Sequence, residues 1–404
     1  MRIGIVAPFN PSSIQMYFEE TLKSINKTAS SVNNLVLSFI ELGHDVCVFT
    51  LDTTSEETKF YTSDHVRLYV IGVKSRFKLN NIFPPLYKQA KIIKPYIQKE
   101  IGTLDVIHAH WCYQYALSVI EFVDRLPVFC TIRDIASVIY KNAKLSWRPY
   151  HLLNKAYWRY RKIIFEQVIN NKSIHFIANS EYTFNYFKRR FPNRECALLY
   201  NSIADNRVLT RRVTENVNEQ FVTIAADIDD RRKNIFTLIE AFALVKKKIK
   251  SSKLVIIGHY RKREGVYKMA YENGLLDGVT FAGSMNYEEL MDVIDHSACL
   301  VHPATEETFG NTIIEAMSRC VPVIGGNKSG AVPHILDNGE CGFVCDINNT
   351  EELSTTMLNV LEDKVPAVVV NNATKRLKEK YINSVVGKEH ISLYSRIINE
   401  DDNL

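Results

Sequence analysis

Short apolar runs recur along the chain, separated by stretches in which apolar residues return every three or four positions. Ile3-Gly4-Ile5-Val6-Ala7 is the first run. After it, Val32, Leu35, Val36, Phe39 and Leu42 fall three and four apart, which predicts a helix with one apolar face, ended by Gly43. Further strand-like runs are Val46–Phe49, Val66–Ile71, Val106–Ala109, Val128–Thr131 and Ile174–Ala178. Continuous apolar strands divided by helices predict a parallel sheet covered on both faces. The stretch 202–220 is polar and aperiodic and reads as a linker. A second series then begins with Phe221–Ala225, Leu254–Gly258, Val279–Gly283, Ala298–Pro303 and Val321–Gly325. The expectation is two α/β doubly wound lobes, 1–201 and 221–380. A C-terminal helix within 381–404 is expected to pack back on the first lobe, and the cleft between lobes is the default place for a ligand.

Composition narrows the class. The 404 residues carry 50 Lys and Arg against 45 Asp and Glu, and 46% hydrophobic with 24% charged residues excludes a disordered, collagen-like or disulfide-framework chain. No apolar window reaches the ~18 residues of a membrane span, and the opening run is too short for a signal-peptide core. The eight cysteines sit mostly inside apolar runs, and Cys341 and Cys345 lack the zinc or redox spacing. Reduced, buried thiols in a cytoplasmic protein are expected. The net charge of +5 is uninformative until its placement is considered. Lys141, Lys144, Arg148, Lys155, Arg159, Arg161, Lys162 and Lys172 face a single acid, Glu166, and are interleaved with Trp147, Tyr150, Tyr157, Trp158, Tyr160 and Phe165. Tyr150, Leu153, Tyr157, Ile164 and Val168 recur at helical spacing. A helix docking on an anionic membrane or acceptor fits segment 141–172, and so does an ordinary solvated helix; no nucleic-acid reader motif accompanies it.

Three constellations carry candidate chemistry. In Thr305-Glu306-Glu307-Thr308-Phe309-Gly310-Asn311-Thr312-Ile313-Ile314-Glu315, a strand gives way to a polar loop, Gly310 permits a tight turn, and a helix opens near Asn311. Free N–H groups at such a helix start bind anions. Thr312-x-x-Glu315 also fits a purely structural capping box. In Asp229-Asp230-Arg231-Arg232-Lys233-Asn234, cations follow a strand, suited to charge developing on a diphosphate; a solvated turn of Asp–Arg pairs is the plainer reading. In Cys130-Thr131-Ile132-Arg133-Asp134, Arg133 stands at a strand's C-terminal end, where ligands gather, or forms a structural pair with Asp134. His108 reads as a core residue, and His110, followed by Trp111, as lining the ligand side. Ser30 and Ser31 can cap the first helix and leave donors free. Neither lobe opens with Gly-x-Gly-x-x-Gly, which argues against a nicotinamide oxidoreductase, and the histidines support no metal site.

Glu307 and Glu315, with Phe309-Gly310 between them and Val321-Pro322-Val323-Ile324 beyond, resemble the Glu-x7-Glu motif of the family-4 retaining glycosyltransferases. Asp105–Trp111, Phe176–Tyr182 and Leu199–Ile203 resemble other segments of that family in order and spacing. The resemblance implies two Rossmann-like lobes (the GT-B architecture), with the first binding an acceptor and the second a nucleotide-diphosphate sugar. It implies Glu307 on sugar hydroxyls, Glu315 on the ribose, Lys233 with Arg232 on the diphosphate, and donor contacts from Phe309, Gly310, Asn311, Thr312, Gly258, Ser284 and Met285. On the acceptor side it implies His110, Ser30 and Ser31. Arg133 replaces the family's usual histidine, which excludes proton transfer by that residue, and the usual Gly-Gly pair of the first loop is missing. The implied activity is retaining transfer of a hexosyl group to a glycan or lipid-linked hydroxyl in surface polysaccharide synthesis, with no metal or other cofactor. A catalytically silent carbohydrate-binding scaffold and a two-lobe nucleotide-sugar epimerase share the architecture.

Overall fold

The structure is a computed structural model that describes residues 1–25, 29–74, 83–143, 149–213, 218–362 and 365–401. Thr28, Lys144, Trp147, Arg148 and residues 214–217 of the expected linker lie outside the described residues. The chain forms two compact units, Met1–Ser202 with Asn383–Leu404, and Ile203–Ile382.

The first unit is built on β1 (Arg2–Val6), β2 (Asp45–Asp52), β3 (Lys59–Thr62), β4 (Val66–Gly72), β5 (Val106–His110), β6 (Val128–Ile132), β7 (Ile174–Ala178) and β8 (Cys196–Leu198). Their order is β3-β4-β2-β1-β5-β6-β7-β8, parallel except for the antiparallel pair β3–β4. Alternation decides which face each side chain covers. Val6, Cys47, Phe49, Ile107 and Cys130 enter one buried cluster, while Ile3, Ile5, Val46, Val48, Val106 and Phe129 enter the other. The Asn383–Asp401 helix completes the second cluster, with Tyr394 buried and its ring 4.7 Å from Phe129. His108 is a core residue: it is buried between the Tyr394 hydroxyl at 2.6 Å and the Thr131 hydroxyl at 2.7 Å.

The second unit holds β9 (Asn218–Asp227), β10 (Lys253–His259), β11 (Val279–Gly283), β12 (Ser297–His302), β13 (Val323–Gly326) and β14 (Phe343–Cys345). The order β11-β10-β9-β12-β13-β14 is all parallel, the doubly wound 3-2-1-4-5-6 arrangement counted from β9. The reading of 202–220 as a linker is revised. The Leu209 N–H donates to the Ser318 carbonyl at 2.8 Å, Arg212 donates to the Ser297 carbonyl, and β9 already begins at Asn218. These polar residues lack periodicity because they satisfy element ends instead of covering a face.

Candidate functional site

The second sheet reverses its strand order between β9 and β12, and loops leaving such neighbours diverge and open a crevice. After β9, Arg231–Lys233 make one 3-10 turn. Asp230 caps it by accepting from the Arg232 N–H at 3.0 Å, and Asn234 closes it with φ at 53°. After β12 comes the loop 303–310, laced to the first because the Thr305 N–H donates to the Arg232 carbonyl at 2.7 Å. Across this seam Lys233 Nζ donates to Glu307 Oε2 at 2.8 Å. His302 Nε2 stands 3.5 Å from the same oxygen, and the Thr308 N–H donates to Oε1 at 3.1 Å. Burial pushes the Glu307 carboxyl up, but Lys233 and His302 outweigh it and hold the group well below the usual carboxylate range. Arg232 is turned toward carboxylates, at 2.7 Å from Asp230 and 3.6 Å from Glu306.

Gly310 follows with φ at 97° and is the N-cap of the Asn311–Ser318 helix, without a side-chain cap. Thr312 is therefore the second residue of the helix, so the capping-box reading of Thr312 and Glu315 is corrected; its hydroxyl lies 3.4 Å from His302 Nδ1. Phe309 is buried edge-on to Tyr381, which leaves only its backbone for ligand contact. Glu315, on the second turn, is partly buried; burial pushes its carboxyl up to about 7 against the opposing pull of Arg207. The Arg207 guanidinium lies 4.1 Å from the centre of the Tyr287 ring, and burial followed by the Glu315 charge raises that tyrosine to about 12. Gly258, the last residue but one of β10, has φ at 145°, and a Cβ there would fall 1.7 Å from the Ala225 carbonyl oxygen. Ser284 and Met285 follow β11 at the sheet edge, two strands from β9. His302, Arg207 and Tyr287 are not among the residues the sequence singles out, whereas Asp230 is read there as part of a turn of Asp–Arg pairs, and it does lie 2.7 Å from Arg232. His302 had a signal as the last strand residue before the loop, whereas Arg207 was hidden in the supposed linker.

In the first unit the reversal lies between β1 and β5. Arg133 is buried just after β6 and is pushed down to about 9 by that burial. It donates to His110 Nδ1 at 3.0 Å, to the Ser31 hydroxyl at 3.0 Å and to the Asn201 side-chain oxygen. His110, Ser31 and Arg133 are thus brought together, while Ser30 is exposed. Burial keeps the His110 imidazole neutral, and the arginine at Nδ1 leaves its proton on Nε2. The expected serine cap is corrected: Ala29 is the N-cap of the Ser30–Glu41 helix, without a side-chain cap, because the Ser31 hydroxyl is engaged by Arg133. Trp111 leaves β5 with φ at 68°, a conformation that costs a bulky residue about 1–3 kcal/mol. Its N–H donates to the Thr131 carbonyl at 3.0 Å, and its own carbonyl accepts from the Tyr113 N–H at 2.9 Å.

The basic-aromatic segment lies mainly on the Pro149–Asn170 helix, and its apolar face is not uniform. Ile164 and Val168 are buried, but Tyr150 and Leu153 are exposed. Arg161 points inward, 3.8 Å from the centre of the Tyr113 ring, 4.4 Å from that of Trp158 and 3.4 Å from Asp134. Among the described residues no helix is long and apolar enough to cross a membrane.

Residues 28–207 match the family described as Glycosyltransferase Family 4, and residues 207–380 match Glycosyl transferases group 1. The capsular polysaccharide biosynthesis glycosyltransferase CapM of Staphylococcus aureus is 25% identical over 210 residues, covering 49% of this chain and 52% of CapM. The N-acetyl-alpha-D-glucosaminyl L-malate synthase of Bacillus anthracis is 23% identical over 52% of this chain and 56% of its own length. The chain thus spans about half the length of these curated relatives. Sucrose-phosphate synthase from Thermosynechococcus elongatus superposes with a TM-score of 0.76 at 18% identity, covering 99% of this chain and 100% of that one. HepE from Anabaena, solved with UDP and glucose, gives 0.68 at 16% identity over 98% and 99%. With the Glu-x7-Glu loop at the reversal point of the second sheet, two parallel-sheet units and these matches, the chain belongs to the family-4 glycosyltransferases of GT-B fold.

Proposed function

We propose that the protein transfers a hexosyl group, with retention of anomeric configuration, from a nucleotide-diphosphate sugar to a hydroxyl of a glycan or lipid-linked acceptor in surface polysaccharide synthesis. The observation that carries the reading is the Lys233–Glu307 pair on loops after β9 and β12, beside a helix start without a side-chain cap. In a ligand-free protein the ammonium and carboxylate satisfy each other. A donor separates their tasks, the diphosphate taking Lys233 and the sugar hydroxyls taking Glu307. Arg232, held between Asp230 and Glu306, contributes its field from one side. Backbone of 309–312 faces the phosphates or sugar, and Glu315 accepts from the ribose hydroxyls.

In the transfer, the acceptor oxygen forms its bond to the anomeric carbon on the face from which the diphosphate oxygen departs. The acceptor proton passes to that departing oxygen, and a nucleoside diphosphate leaves. No protein base is needed, so an arginine at position 133 is compatible with the chemistry, and the fixed cations do the work a metal would otherwise do. The relatives' names favour envelope glycans as the setting: CapM is named for capsular polysaccharide biosynthesis. Exposed Tyr150, Leu152 and Leu153 on the same helix as exposed Arg159 favour peripheral docking of the Pro149–Asn170 helix on an anionic cytoplasmic membrane face.

A thermal-shift screen of nucleoside diphosphates and their sugars tests the reading, since a ligand present at about 100 times its Kd stabilises the fold by roughly 2.7 kcal/mol. At least one nucleotide should raise Tm, and Lys233→Ala should abolish the rise. A flat response to every nucleotide would refute the donor site. Product anomeric configuration, read by proton NMR, separates retention from inversion.

A further inference from the structure

The two cationic partners of Glu307 differ in their access to solvent. Lys233, whose Nζ donates to Oε2 at 2.8 Å, keeps 24% of its side chain exposed, Glu307 keeps 18% and His302 only 6%. A ligand entering the crevice therefore meets the lysine, while His302 sits on the sealed side of the carboxylate. Its strand places it there. His302 is the last residue of β12, and alternation turns it to the face opposite Cys299 and Val301, which enter the core. Its Nδ1 lies 3.4 Å from the Thr312 hydroxyl and its Nε2 lies 3.5 Å from Glu307 Oε2. That Nε2 is buried and completes no hydrogen bond among the described residues. We propose that His302 is a positioning residue that takes Glu307 over from Lys233 when a donor diphosphate draws the lysine away, a role that rests on the donor-site reading above.

Tautomer, mobility and burial each support this exchange. The Thr312 hydroxyl, donating to Nδ1, leaves the imidazole proton on Nε2, against the carboxylate; the other tautomer would set a lone pair against a charged oxygen. His302 thus holds a donor aimed at Glu307 that goes unused while Lys233 occupies Oε2. Lys233 can follow the phosphates, because its ammonium is a point charge on a flexible stem. The Glu307 main chain, in contrast, is pinned. Its carbonyl accepts from the Ala331 N–H at 2.9 Å, and a Cβ on Gly330 would fall 2.2 Å from the same oxygen. Closing the His302 contact from 3.5 Å to about 2.9 Å needs only a small side-chain rotation. Burial pushes the Glu307 carboxyl up, so a carboxylate that lost its lysine with nothing in exchange would be driven to take up a proton. A hydrogen bond from His302 keeps it ionised and aimed at the sugar hydroxyls.

A double-mutant cycle read by titration calorimetry tests the exchange, on the full chain with UDP, GDP and ADP as probes. At least one of them should bind the wild type. His302→Leu should weaken that nucleotide about tenfold, the scale of a lost hydrogen bond to a charged group, because Glu307 then competes for Lys233. In a Glu307→Gln background the same substitution should change affinity by less than about twofold, since a neutral amide needs no counter-charge. His302→Gln, whose amide keeps an N–H donor near the Nε2 position, should recover most of the loss. Equal weakening in both backgrounds is what a merely structural His302 would give, and it would overturn the proposal. Nitrogen-15 NMR of the wild-type histidines keeps the test decisive where a variant does not fold. His302 should carry its proton on Nε2, and that proton's resonance should move downfield when the nucleotide binds. A proton on Nδ1 alone, or an Nε2–H signal unmoved by bound nucleotide, would also overturn the proposal. If no nucleotide binds the wild type, the donor-site reading itself fails; binding without coupling removes only the role of His302.

Discussion

Glu307 and Glu315 are carboxylates eight residues apart with opposite electrostatic fates. Glu307 gains Lys233 and His302, whereas Glu315 gains only the more remote Arg207 and remains dominated by burial. An acid raised from 4.5 to about 7 in the fold is favoured protonated, so its contribution to stability is greatest below about pH 4.5 and is lost as pH climbs through 7. Glu315→Gln should therefore stabilise the protein by about 2 kcal/mol at pH 8 and by almost nothing at pH 4.5, from ~1.4 kcal/mol per unit reduced for partial exposure. Urea unfolding at the two pH values checks this, and an equal effect at both would refute it. Under the proposed function, ribose hydroxyls donate to the ionised form. Nucleotide affinity should then rise between pH 6 and pH 8 in the wild type and stay flat in Glu315→Gln.

At the scale of elements, Gly310 is the hinge between the loop after β12 and the helix that follows. Its φ of 97° is open to glycine, and a Cβ would approach Ile313 Cδ1 to 2.9 Å. Gly310→Ala should cost about 1–2 kcal/mol and, by displacing the helix start, weaken nucleotide binding; calorimetry and the thermal-shift assay read the two effects. The strands read from apolar runs all appear, and those that escaped are β3, β8 and β14. Each is three or four residues long and lies at a sheet edge, where one side lacks a neighbour and most residues are only partly covered. In β3, Tyr61 is buried while Phe60 is half exposed, a pattern too short to separate from a loop. The site was legible in parts: Lys233 and Glu307 were visible as loop residues after strands. Their contact was not, because it joins positions 74 apart and depends on β12 lying beside β9. Strand order is a long-range property that local periodicity does not encode.

At the scale of the molecule, each unit has its own core, yet the first is discontinuous. The Asn383–Asp401 helix supplies Tyr394 to His108 and to the aromatic cluster around Phe39 and Phe129. Truncation after Ile382 should unfold the first unit, while fragment 203–382 resists proteolysis and still binds a nucleoside diphosphate. Limited proteolysis followed by mass spectrometry of the surviving fragment tests this, and survival of an intact 1–202 fragment would contradict it. The ends of the second unit are neighbours, joined by the parallel bridge between Ile203 and Ile382. In effect one domain is inserted into another, and this has a consequence for biosynthesis. The ribosome delivers every strand of the first unit before any strand of the second, but withholds the helix that seals one face of its sheet until the whole second unit has been made. The unit begun first is thus finished last, and while it waits, the face around Phe39, His108 and Phe129 is a surface for a chaperone to guard.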